Sequence, residues 1–285
     1  MSKTDPAKKF IEKLGQQNSD YTSPESAQNL ANSLESLSTD IYTDSQRFIY
    51  ELLQNADDAS STYGSLELAI KIVDQYLVVS HNGEPFTQVD IESVCSVGDG
   101  NKRGDANKTG FKGIGFKSVF SHSDLVIINS GNYCFKFDKE HWGGYWKDNW
   151  GVKEDWEAER VRKQKQKNIK MPWQIIPIWT DLPQELITTK SFNVSTIIRY
   201  QDTEKLQKDL FELFSNTQIL LFLRSKQIKI TISKNSLTFA IEKITQNGVV
   251  ILKKCDRLAR SWVDARKPNI NQLITECDRR SCRVR

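Results

Sequence analysis

The stretch Glu51-Leu52-Leu53-Gln54-Asn55-Ala56-Asp57-Asp58-Ala59 decides how the rest of the chain is read. Wound as an α-helix at about 100° per residue, it gathers Glu51, Asn55 and Asp58 into a stripe about 60° wide. Ile49, Leu52, Leu53, Ala56 and Ala59 fall on the other side, where a core would take them. A surface helix with its polar side in water has the same pattern. Against that reading, no Lys or Arg lies between Ile49 and Ala59, so ion pairs one turn apart do not account for the acids. A stripe carrying only carboxylate and amide groups is what Mg2+ accepts beside water and phosphate. One carboxylate as a base and one amide as a metal ligand suit phosphoanhydride hydrolysis, provided another segment holds the phosphates.

A candidate for that segment lies downstream. Gly98 to Thr109 contains three glycines and three basic side chains with little apolar content, as a functional lid would. It runs into Gly110-Phe111-Lys112-Gly113-Ile114-Gly115-Phe116-Lys117-Ser118-Val119-Phe120. Glycines allow close backbone approach, and the free N–H groups at a helix start attract phosphate. The spacing is not that of a P-loop, and the surrounding elements do not form a Rossmann unit.

Composition narrows the class. The chain has 285 residues, 38% hydrophobic and 27% charged, with a net charge of +4. A soluble globular protein is expected, with no membrane span. Met1 to Lys9 is polar and lacks a signal-peptide core, so export is not expected. Five scattered cysteines without a C-x-x-C pair predict reduced thiols and a cytoplasmic setting. The mild positive charge permits anionic ligands without pointing to nucleic acid.

Along the chain, residues 1–40 read as a polar helical arm, with Ser23-Pro24-Glu25 as a helix start. The acidic helix is expected from about Asp44 to Ala59. Leu66 to Ile72 alternates as a half-buried strand, and Tyr76 to Ser80 returns as a second strand. His81-Asn82-Gly83-Glu84-Pro85-Phe86 follows, a turn or a ligand edge. Val89 to Val97 reads as a helix, and Leu125–Asn129 with Tyr133–Phe137 as a hairpin. Residues 139–171 gather Trp142, Trp146, Trp150 and Trp156 among charges, an insertion with a solvated helix; stacking on nucleic acid is the weaker alternative. Further strands are expected at Pro172–Trp179, Phe192–Tyr200, Leu220–Leu223, Ile228–Ile232, Leu237–Ile244 and Val249–Leu252, with a helix at Lys205–Phe214. The fold class expected is α+β, a two-layer α/β sandwich with a mixed, mostly antiparallel sheet covered by helices.

Taken in order, Glu51-x-x-x-Asn55-x-x-Asp58-Ala59, His81-Asn82-Gly83 and Gly110-x-x-Gly113-x-Gly115-Phe116 resemble the GHKL ATP-binding (Bergerat) fold of the Hsp90 N-terminal kind. Ser96-Val97-Gly98-Asp99-Gly100 with Gly113-Ile114-Gly115-Phe116-Lys117-Ser118-Val119-Phe120 is most similar to the sacsin and NO VEIN branch. The resemblance spans roughly residues 40–232. It implies an ATP-binding domain at 41–232; the arm at 1–40, the Trp-rich insertion at 139–171 and a further domain or basic tail from 233 to 285 lie outside its motifs.

The resemblance implies ATP and Mg2+ as ligands. Glu51 takes the position of the general base, Asn55 that of the Mg2+ ligand, and Asp58 that of an acid beside the nucleotide. Gly110, Gly113, Ile114, Gly115 and Phe116 take the place of the phosphate-holding loop; in the mechanism expected from this, Lys102, Arg103, Lys108 or Lys112 reaches phosphate oxygens. Thr196 matches a strand threonine near adenine. His81 stands where the family usually has an Asp that accepts from the adenine amino group; a neutral His, or the side chain of Asn82 beside Gly83, could accept instead. Pro85 replaces the family's second glycine of that motif.

The function expected is slow Mg2+-dependent ATP hydrolysis coupled to lid closure, a chaperone-like or regulatory switch. A protein client or partner domain, and a possible homodimer, go with it. The alternative is a nucleotide-dependent sensor or assembly module without turnover. Histidine-kinase chemistry is disfavoured, because no phospho-acceptor His precedes Glu51.

Overall fold

In the computed structural model, residues 5–41, 47–60, 64–97, 115–186, 192–234, 237–258 and 282–284 are described. Gly98 to Ile114, and with it Lys102, Gly110, Lys112 and Gly113, lies outside them.

The alternating pattern at Leu66 to Ile72 becomes β1 (Ser65–Val73), whose buried residues are Leu66, Leu68, Ile70 and Ile72. Asp74, at φ 49°, turns the chain into β2 (Tyr76–His81), paired antiparallel with Val73 opposite Tyr76. Across β2 lies β6 (Val194–Arg199), then β3 (Leu125–Ser130), β4 (Tyr133–Asp138) and the short β5 (Ile178–Trp179). On the other side of β1, β7 (Gln227–Lys234) pairs in parallel. Beyond it come β8 (Leu237–Gln246), β9 (Val249–Leu258) and β10 (Cys282–Val284), all antiparallel. The sheet is therefore mixed and mostly antiparallel, as the sequence pattern predicts.

Helices cover one face. α1 (Pro6–Ser19) and α2 (Pro24–Ile41) form the arm, and α3 (Arg47–Ala59) carries the acidic stretch. α4 (Gln88–Val94) starts at a capping box in which Thr87 and Asp90 bond each other's backbone N–H groups. A 3-10 helix follows at Gly115–Ser121, then α5 (Lys153–Arg162) and α6 (Thr203–Ser215). Leu52, Leu53 and Ala56 of α3 join Leu68, Val79, Ile128, Phe135, Ile198 and Ile230 in one core. Val78, Ile127 and Ile197 point to the opposite face, where Leu186 packs on them. This is a two-layer α/β arrangement, with the second face only partly covered by the described residues.

Four expectations change. Leu220–Leu223 is part of a 3-10 helix (Thr217–Phe222), and Pro172–Trp179 is a 3-10 turn (Trp173–Ile175) leading into the two residues of β5. Short apolar runs carry no period that separates these states. The boundary placed at 232/233 falls inside β7, and β8 and β9 extend the same sheet. The Trp-rich segment is not merely solvated. Trp156 of α5 is buried and donates to Glu25 of α2, Trp150 Nε1 donates to Tyr21 O at 3.0 Å, and Lys147 pairs with Asp20. Met171, Ile175 and Ile176 pack against Ala27 and Leu34. The segment is a clasp around the arm.

Candidate functional site

The polar stripe of α3 does not face bulk water. Glu51 and Asn55 are half-buried and Asp58 is buried. What meets the stripe is the exit of the glycine-rich turn: a Cβ on Gly115 would overlap Glu51 Oε2 and lie 2.9 Å from its Cδ. Only a residue without a side chain lets the backbone come this close to the carboxylate. The 3-10 helix starting at Gly115 thus sets its first residue against Glu51. Phe116, next in line, is half-buried and meets Phe120 edge to face at 5.9 Å.

A second turn docks at the end of α3. Gly83 is buried, and a Cβ there would sit 2.8 Å from both Ala59 Cβ and His81 Nδ1. Glu84 N–H donates to Ala59 O at 3.0 Å, fixing the turn to the last residue of the helix. The His81 motif therefore adjoins the end of the helix that carries Asp58. Thr196 pairs with Val79 across β2 and β6, and cross-strand partners share a face, so Thr196, Val79 and His81 all look toward the helical layer. Ser80 and Ser195 look the other way, joined through their hydroxyls at 2.7 Å.

The chemistry of this turn differs from expectation. His81 Nδ1 accepts the Gly83 N–H at 3.2 Å, and burial lowers the ring pKa to about 4. The neutral ring then carries its proton on Nε2 and is a donor there. The expectation that His81 accepts a bond from a base amino group does not fit this tautomer. Nor does Asn82 replace it: its Oδ1 accepts the Glu67 N–H at 2.8 Å and its amide N–H approaches Ser65 O at 3.5 Å, so the side chain edges β1.

Several residues escaped the sequence reading. Asp57, buried between core and stripe, accepts from Arg224 N at 2.6 Å, Ser225 N at 3.0 Å and Ser225 Oγ at 2.5 Å. Asn193 Nδ2 donates to Gly83 O at 3.2 Å and supports the turn. Lys117 is turned into the protein. It is buried and donates to Val94 O and, at 3.2 Å, to Gln174 O, and burial lowers its pKa to about 8. None of these roles had a sequence signal, because each acts through a partner far along the chain. Among the described residues, no three His, Cys, Asp or Glu side chains gather around a metal, and no helix is long and apolar enough to cross a membrane.

Protein NO VEIN of Arabidopsis thaliana is 39% identical over 110 residues, 38% of this chain and 4% of that protein. Sacsin of Homo sapiens is 31% identical over 134 residues, 40% of this chain and 3% of that protein. The chain thus spans only a small fraction of the length of either relative. Residues 65–243 match the sacsin domain, from β1 into β8, with α3 just ahead of the matched span. With more than half its length in that match, the chain belongs to the sacsin-domain family.

Proposed function

We propose that the face formed by α3, the His81 turn and the 3-10 helix binds ATP and hydrolyses it slowly, as a conformational switch of the GHKL kind. The observation that carries this is the seating of the Gly115 backbone against the Glu51 carboxylate. A half-buried acid beside glycyl backbone is suited to activating a water next to a bound phosphate. Asn55, one turn further along the same stripe, would hold Mg2+, which when bound offsets charge on the phosphate oxygens. Mg2+ keeps several waters and phosphate oxygens as ligands, so a single amide with no acidic cage fits that ion. Asp58 and Thr196 would border the base, and His81 would meet it as an N–H donor. Lys102, Gly110, Lys112, Gly113 and Ile114 remain the proposed phosphate-side contacts. A protein client or a second copy of the chain would respond to closure of this face.

The experiment is calorimetric ATP binding beside steady-state phosphate release, for the wild type and for Glu51→Ala. Wild-type turnover that falls at least about a hundredfold in the variant, with ATP affinity kept, is the expected result. Absence of ATP binding in the wild type overturns the proposal. Binding without wild-type turnover leaves the sensor or assembly reading in its place.

A further inference from the structure

The ammonium of Lys117 is buried where the 3-10 helix Gly115–Ser121 meets α4, the clasp and β4. Its Nζ donates to Val94 O, at the end of α4, and to Gln174 O of the clasp. It lies 5.7 and 5.9 Å from the ring centres of Phe120 and Phe137. No carboxylate is among these contacts of the described residues. Cys95, at the C-cap of α4, faces it as a neutral thiol, its pKa raised to about 12 by burial, with Glu92 adding to the rise. Gln174, Phe120 and Phe137 carry no charge. Carbonyl oxygens and ring faces return only part of the hydration that an ammonium loses on burial. An uncharged side chain of the same length would fill this space without that cost, so packing does not account for the residue.

The two segments that receive Lys117 are tied to each other from the arm. Asn18 Nδ2 donates to Cys95 O at 3.0 Å and to Ile175 O at 2.7 Å, one residue beyond each Lys117 acceptor. On the other side, Ser118 Oγ donates to Gly115 O at 2.6 Å, so Gly115 and Lys117 belong to one stitched turn. Lifting Lys117 off its frame therefore draws the Gly115 backbone away from the Glu51 carboxylate it is seated on.

We infer that Lys117 is a charge-sensitive latch on the Glu51 face: the charged ammonium lets the 3-10 helix undock readily, and loss of the charge seats it firmly against α3. As regulation of a nucleotide site this rests on the function proposed above; the latch itself does not. Burial lowers the docked pKa from 10.5 to about 8, so between those values the undocked form holds more protons. Rising pH then favours docking, and the opening equilibrium falls about tenfold from pH 7 to pH 9.

The test is hydrogen–deuterium exchange on the whole chain without nucleotide, so that a failure of ATP binding leaves its outcome untouched. Protection factors, corrected for intrinsic exchange, are compared at residues 115–121 and in β2 and β6 at both pH values. Wild type, Lys117→Met and Lys117→Arg are used, each checked for folding by thermal melting; if one variant does not fold, the other decides. Wild-type protection at 115–121 should lie below that of the strands and rise about tenfold from pH 7 to pH 9. Lys117→Met, uncharged throughout, and Lys117→Arg, charged throughout, should show no such rise, with Lys117→Met the better protected. Wild-type protection that is flat or falls overturns the inference. So does a rise that persists in the variants, which assigns it to another group. Protection at 115–121 equal to that of β2 and β6 also overturns it, since only global unfolding would then free Lys117.

Discussion

At the scale of single residues, His81 is where chemistry and stability meet. Its ordinary pKa of 6.5 falls to about 4 in the folded protein through burial. The unfolded chain takes up a proton below pH 6.5 while the folded ring stays neutral to about pH 4. Stability on this account is highest above pH 6.5 and declines as pH falls toward 4, after which the loss levels off. Between pH 7 and pH 5 the difference is about 2 kcal/mol. Denaturant melts at the two pH values should show a smaller acid loss in His81→Asn than in the wild type. Gly115 offers a different test. Its φ is not left-handed, so Gly115→Ala strains no backbone, but its Cβ displaces the Glu51 carboxylate. Unfolding free energy should change by less than about 1 kcal/mol, while phosphate release falls at least about tenfold. The stripe of Glu51, Asn55 and Asp58 was legible from helical spacing alone. The His81 tautomer was not, because it depends on how the Gly83 N–H turns back on the ring.

Among the elements, α3 is held by more than its apolar face. Asp57 ties its last turn to the backbone of residues 224–225, and Ser60 Oγ meets Ser225 Oγ at 3.0 Å. Asp57→Ala would leave the N–H groups of Arg224 and buried Ser225 without their carboxylate, and the Ser225 hydroxyl with Ser60 Oγ alone. Equilibrium urea unfolding should show a loss of about 3 kcal/mol. Sequence reading placed the amphipathic helices and the β1–β2 and β3–β4 hairpins, because period and turn residues are local signals. It misread Leu220–Leu223 and Pro172–Trp179, where a few apolar residues in a row serve a 3-10 turn as well as a strand. Asp57 stood out in no pattern, because its partners lie 167 and 168 positions away.

For the molecule as a whole, the sheet order and the grip on the arm were the least legible features. Both depend on contacts between distant segments. Tyr21, Trp142, Tyr145 and Trp150 flank the cluster of Ala27, Leu34, Met171, Ile175 and Ile176 that fastens α2. Gly15 of α1 packs so closely on Pro177 that a Cβ would stand 3.6 Å from its carbonyl carbon and overlap the oxygen. Trp150→Ala removes one ring and its bond to Tyr21 O, and should loosen the arm without unfolding the sheet. Limited proteolysis within residues 6–37 should quicken about tenfold, equivalent to about 1.4 kcal/mol of local opening, with the global unfolding midpoint little changed.

The parallel pairing of β1 with β7 sets the timing of assembly. Ser65 aligns with Gln227, so one flank of β1 waits roughly 160 residues of synthesis for its neighbour. Until then a nascent chain presents a row of unpaired N–H and C=O groups to the ribosome surface and to chaperones. A stalled or truncated product ending before Gln227 would retain that sticky margin and self-associate, whereas one released after Lys234 could close it.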